Sequence, residues 1–222
     1  MKTRNDSITR IMRVLRLGSA LIVMVLAASA VEAQYTGPTP QQTPVPGNPA
    51  AISHAAREFL QFAAQANQAE IIMANVAETR SENSTVRELA RMMLTDHHDN
   101  YNLLQVTAQN HWVVLDSKLD WMNKRAVNHL DQVNAADFDR AYTAVVMKDH
   151  VKCIAKFDKA VTEMEEPSIR EYAQNTLPIL RKHLRHAEDA ARSVGVDEAT
   201  ISSILRGLPG EEAQRTITFN QN

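Results

Sequence analysis

Between residues 52 and 194, apolar residues return every three to four positions, in stretches of roughly 25 residues. That period keeps one face of an α-helix buried and differs from the two-residue alternation of a half-buried strand. The region is also poor in Gly and in β-branched runs, so little in it favours any other backbone state. A first helix is predicted over 53–80, striped by Phe59, Ala63, Ala66, Met73 and Ala77. The SENST segment breaks it, and Thr85 with Glu88 three residues on reads as a capping box for a second helix. That helix carries Val86, Ala90, Met93, Leu104 and Ala108 on one face and ends near Gln109. A third is predicted over 136–165, striped by Tyr142, Val146, Cys153, Phe157 and Met164. Pro167 at a first-turn position opens the fourth, where Ile169, Ala173, Leu180, Ala187 and Val194 align before Gly195 ends it. Pro178 lies inside that helix and should kink or break it by removing a backbone donor. A weak short helix near 197–206 and a polar tail complete the 196–222 segment.

The loop lengths set the order of packing. Helices one and two are joined by about four residues and three and four by fewer, so each pair should form an antiparallel hairpin. The join between the hairpins runs from 110 to 135 and holds a short helical piece around 119–130. An up-and-down bundle does not need that length. A connection that travels back along a helix of some 25 residues, roughly 37 Å, does. The expected fold is therefore all-α, a ferritin-like antiparallel four-helix bundle over 51–195 with a long crossover between helices two and three.

Ahead of this domain the chain reads as an export signal and a linker. Lys2, Arg4, Arg10, Arg13 and Arg16 precede an uncharged apolar run over 17–30, and Val31-Glu32-Ala33 supplies a small-x-small cleavage pattern. The apolar run is short for a bilayer span, so residues 1–33 read as a signal peptide and the mature chain as lacking a transmembrane segment. Residues 34–50 hold five of the eight prolines and no charge, the composition of an extended linker. Taking the five basic and two acidic residues of 1–33 from the 24 Lys+Arg and 26 Asp+Glu of the chain leaves a formal charge of −5. That balance argues against nucleic acid as a partner, because phosphate binding needs a basic surface. The single cysteine, Cys153, cannot form an internal disulfide, so stability must come from the apolar core.

Each helix breaks its apolar face at one ionisable residue: Glu70, His97, His150 and His183. Glu70 lies about 13 residues before the centre of the first hairpin turn and His97 about 14 after it. His150 and His183 flank the second turn at 16 or 17 residues. The four should therefore meet near mid-bundle. An unpaired buried carboxylate costs several kcal/mol, so Glu70 needs partners. Three imidazoles could supply them by hydrogen bonding or through a shared ion, with Zn, Fe, Mn or Cu as candidate transition metals. Asp96 and Asp149 adjoin the inward histidines but point about 100° away, so they suit hydrogen bonding to another helix's histidine. A buried Glu-His network that fixes helix register without metal is the alternative, and both readings stay open here. His98, Asp99 and His186 read as surface residues and Cys153 as a small core residue. No Gly-rich phosphate loop, CxxC pair or nucleophile elbow is present, and no reaction is indicated.

The stretches EFLQFAAQANQAEIIMANVA, VRELARMMLTDHHDNYNLL, FDRAYTAVVMKDHVKCIAKFDKA and YAQNTLPILRKHLRHAEDA resemble the exported bacterial proteins grouped as domain of unknown function 4142. The resemblance covers 52 to about 194 and implies a ferritin-like helical domain of uncharacterised activity. Members are often labelled outer-membrane proteins, but a helical bundle lacks barrel strands, so the expected location is the periplasm. The wider ferritin-like group implies a di-iron site of glutamates and Glu-x-x-His motifs. No histidine here has a Glu three residues before it, which counts against oxidase or iron-storage activity. The sequence leaves open metal handling or envelope stress, a non-enzymatic envelope interaction or structural role, and a ferritin-like redox enzyme.

Overall fold

A computed structural model of the protein describes residues 52–116 and 118–208. The expected signal peptide, the Pro-rich linker and most of the polar tail lie outside the described residues. Six helices account for the regular structure, and no strand occurs among the described residues: α1 (His54–Arg80), α2 (Ser84–Asn110), α3 (Trp121–Gln132), α4 (Ala135–Glu163), α5 (Pro167–Ser193) and α6 (Glu198–Leu205).

Local chemistry explains most of the boundaries. Ser53, Asp120, Asn134 and Asp197 each accept a backbone N–H of the following first turn, and Asp197 also starts α6 with an acidic first turn behind it. The start of α2 differs from the expected capping box. Asn83, not Thr85, is the N-cap, its side chain accepting from Thr85 N at 2.9 Å and Val86 N at 3.1 Å. An Asn amide oxygen reaches two donors from that position, so the Thr85 hydroxyl is not needed. Gly195 closes α5 at φ 77°, a left-handed conformation in which a Cβ is disfavoured. Trp112 closes α2 in the same region, at φ 57°. Pro178 does not break α5, which continues through it. Pro178 and Gln174, whose carbonyl loses its donor, are both on the exposed side, where water can satisfy that oxygen.

α1 packs against α2 and α4, and α5 packs against α4 and α2. The shared core is aliphatic and methionine-rich, with Leu60, Met73, Met93, Leu104, Met147, Ile154 and Ile169 fully buried. Phe59, Phe157 and Tyr172 form an aromatic trio across α1, α4 and α5, with ring centroids 4.9–6.2 Å apart. α3 lies in the connection between α2 and α4 and packs on both α1 and α4. Arg80 holds its end, donating to the carbonyls of Leu130, Asp131 and Val133 while its guanidinium sits 4.3 Å over the Phe138 ring. Gln61 and Gln65 of α1 accept the backbone N–H groups of Asp116 and Asp120. The connection is thus fastened to α1 at both ends. None of the described helices is long and apolar enough to cross a membrane.

Candidate metal centre

His97 of α2, His150 of α4 and His183 of α5 meet inside the helices, each nearly inaccessible to solvent. One ring nitrogen of each lies within 4.8 Å of the other two. Their other nitrogens identify which atoms face inward. His150 Nδ1 is 2.9 Å from the Val146 carbonyl, which can only accept, so Nδ1 carries the proton. His183 Nε2 is 2.9 Å from Asp96 Oδ2. Partial burial acts to raise the Asp96 pKa, but hydrogen bonds from His183 and Lys182 hold it below the usual carboxylate range. The carboxylate accepts, and His183 Nε2 is the donor.

His97 is fixed through an amide relay. Its Nδ1 lies 2.9 Å from Asn67 Oδ1. The Asn67 amide nitrogen is committed to Ala63 O and Asn100 Oδ1, both at 2.9 Å, so its oxygen is free to accept from His97. Asn100 is oriented in turn by Tyr172 Oη, which donates to its oxygen at 2.6 Å, and by its own donation to Thr176 Oγ1 at 2.7 Å.

Three N–H groups therefore point outward, and three bare nitrogens point at one another: His97 Nε2, His150 Nε2 and His183 Nδ1. His97 Nε2 is buried without a hydrogen-bond partner. His150 Nε2 and His183 Nδ1 stand 3.3 Å apart, and two neutral rings whose other nitrogens donate outward have no proton to place between them. A shared proton is disfavoured. Burial, then the neighbouring histidines, push the His97 pKa well below its ordinary value, and burial with His183 takes His150 down to about 3. Burial lowers His183 as well, although Asp96 opposes it. Facing lone pairs on neutral imidazoles are what a bound cation would satisfy, and 3.3 Å is close to the edge of a tetrahedron with Zn–N bonds of about 2.0–2.1 Å.

Glu70 stands apart from these three nitrogens. Its Oε1 lies 3.6 Å from His150 Nδ1, on the outward side of that ring. The distance would suit an ion pair, yet burial and then the charge of Asp149 push Glu70 well above the carboxylate range, while His150 is pushed down. Both shifts oppose an ion pair, and neither Glu70 oxygen has a hydrogen-bond partner. Asp149 hydrogen-bonds no histidine. It lines, with Glu70, Asn123, Lys152 and Cys153, a cavity of about 10 Å³ bordered by α1, α3 and α4. Asp96 does accept from another helix's histidine. His98, Asp99 and His186 are exposed and Cys153 is buried.

Sequence reading missed Asn67, Asn100 and Lys182. The first two sit one turn from Glu70 and His97, on the same helix faces, so a polar residue at i±3 from a buried ionisable one was the available signal. Lys182 gave no such signal, because its role depends on Asp96 reaching across from α2.

A family model described as "Domain of unknown function (DUF4142)" matches residues 41–190. The chain belongs to the DUF4142 family. Among solved structures, this DUF4142 protein is similar to a DUF305 fragment from Deinococcus radiodurans, with a TM-score of 0.58 and 14% identity over 64% of this chain and 99% of the fragment. At that identity the likeness concerns the fold alone. No curated protein matches the sequence.

Proposed function

We propose that this DUF4142 protein is an exported transition-metal-binding protein of the bacterial periplasm, serving metal handling in the envelope. Its ligands are His97, His150 and His183, with Asp96, Asn67 and the Val146 carbonyl holding the outward N–H groups. One observation carries the reading: three buried imidazoles have their donors engaged elsewhere and their lone pairs turned on one another. Ligating histidines commonly have this outer hydrogen bond, which fixes tautomer and ring direction. Three neutral nitrogens without a carboxylate among them suit Zn or Cu better than Mn, which favours oxygen ligands. Export is supported by the basic start and apolar run of residues 1–33.

A ferritin-like arrangement with a crossover between α2 and α4 is part of the proposal. It is supported by the pairing of α1 with α2 and α4, of α5 with the same two, and by the long α2–α4 connection. The di-iron chemistry of that architecture needs several carboxylates and is not supported, since Glu70 faces the wrong nitrogen of His150.

A second reading, a purely structural polar network in an envelope protein, draws on the His97–Asn67–Asn100–Tyr172 chain of hydrogen bonds. It accounts for the outward nitrogens and leaves the inward ones unexplained. Equilibrium dialysis of the chelator-stripped protein against zinc, copper, iron and manganese separates the two. The metal reading expects about one equivalent of zinc or copper, lost on replacing the three histidines by alanine. Less than about a tenth of an equivalent of every metal would overturn it, and His97→Ala would then lower thermal stability equally with and without metal.

A further inference from the structure

We propose that the outer face of α3 is a binding groove for an acidic saccharide, a short chain of sugar rings bearing carboxylates. The site is separate from the three histidines and does not rest on the metal reading. Trp121, Lys124, Arg125, Asn128, His129 and Gln132 stand at i, i+3, i+4, i+7, i+8 and i+11, which is one face of the helix. That face is roughly 16 Å long. All six residues are exposed, and they line a groove of about 470 Å³, a volume within the range of small-molecule clefts. Asn123 and Leu130 turn the opposite face of α3 into the fold. Gln65 and Arg80 fasten its two ends, so the outer face stands on a fixed element.

The chemistry of the face selects the ligand. Trp121 leaves 68% of its surface in water, a flat apolar ring of the kind that binding surfaces present. The Arg125 guanidinium lies 5.6 Å from the centroid of that ring, which sets a cation beside it. The C–H groups of a sugar ring carry partial positive charge and pack on the negative face of an indole. Lys124 and Arg125 attract carboxylates, the arginine through its planar fork, and the Asn128 and Gln132 amides donate to and accept from hydroxyls. No acid lies among the six lining residues, although the whole chain has a formal charge of −2. The nearby Asp120 is engaged as the N-cap, accepting from Asn123 N at 2.7 Å. A bilayer surface would need a broad apolar face, and this one has a single ring among polar groups. A peptide would need a strand edge or an apolar groove, and this face offers neither.

The test is isothermal titration calorimetry of the full mature chain, with a galacturonic acid tetrasaccharide as the acidic probe and cellotetraose as the neutral one. The acidic saccharide should bind with a Kd of about 1 mM or tighter and the neutral one about tenfold more weakly, and added salt should weaken the former alone. Trp121→Ala and Arg125→Ala should each lower the affinity about threefold or more. Trp121→Phe, which keeps a ring, should retain more of it than Trp121→Ala. Trp112→Ala, at the chain's other exposed tryptophan, should leave it unchanged. No binding of the acidic saccharide would overturn the proposal, as would full affinity in Trp121→Ala and Arg125→Ala. Equal binding of cellotetraose would overturn the role of charge. Equal affinity for tetraglutamate would make the ligand an acidic peptide, and binding to phosphatidylglycerol vesicles without saccharide binding would make it a lipid surface; either result overturns the saccharide.

Discussion

Two buried groups that touch each other give this protein opposite pH dependences. Glu70 has its pKa raised by burial, so its folded state holds a proton that the unfolded chain releases above about 4.5. Stability from that proton is complete below the unfolded value and is lost as pH rises through the folded one. Glu70→Gln mimics the protonated acid, so it should match wild type near pH 4 and exceed it near pH 8. The expected gap is about 1 kcal/mol or more, some 2–4 °C in Tm for a domain of this size. Equal melting temperatures at pH 8 would show that Glu70 is ionised and paired. His150 works the other way, with a folded pKa of about 3 against 6.5 unfolded. The unfolded chain binds the extra proton, so this contribution is complete above 6.5 and lost as pH falls toward 3. Metal-free His150→Gln should therefore show a flatter fall in Tm between pH 6.5 and 4 than wild type, measured by circular dichroism.

At the scale of the elements, one side chain at a helix end and one inside a helix can be tested. Arg80, the last residue of α1, satisfies carbonyls at the end of α3 and covers Phe138. Charged hydrogen bonds of this kind contribute about 1.5–3 kcal/mol. Arg80→Ala should cost that much in urea unfolding, with amide exchange speeding first in α3. Unchanged protection of α3 would mean that its packing on α1 and α4 suffices. Pro178 is the converse case, a residue the helix tolerates because the freed carbonyl faces water. Pro178→Ala restores a backbone donor on an exposed face and should stabilise α5 by about 1–3 kcal/mol. A lower Tm for this variant would show that the proline stabilises the fold by restricting the unfolded chain more than it costs the helix.

At the scale of the whole molecule, the three histidines tie α2, α4 and α5 together at one height, while α1 joins them through Asn67. A ligand bound only by this folded arrangement shifts unfolding by mass action. Zinc or copper at about 100 times its dissociation constant should add about 2.7 kcal/mol, raising Tm by roughly 5–11 °C. Replacing all three histidines should abolish the rise, and a Tm that zinc and copper leave unmoved would count against the site.

Much of this was written in the chain order. A 3.6-residue apolar period and the near absence of Gly dictate long helices, and short joins at 81–83 and 164–166 dictate which of them turn back on each other. Counting residues from those turns places His97, His150 and His183 at similar heights, because rise per residue is constant in a helix. Rotation about the helix axis and the side-chain rotamers are not set this way. They follow from how neighbouring helices interlock, which is why only the folded protein shows Glu70 on the outer side of His150, Asp96 on His183, and Asp149 beside Glu70 with no histidine to bind. The pattern of apolar residues determined that polar groups would be buried at mid-helix. Packing between helices decided which of their atoms face one another.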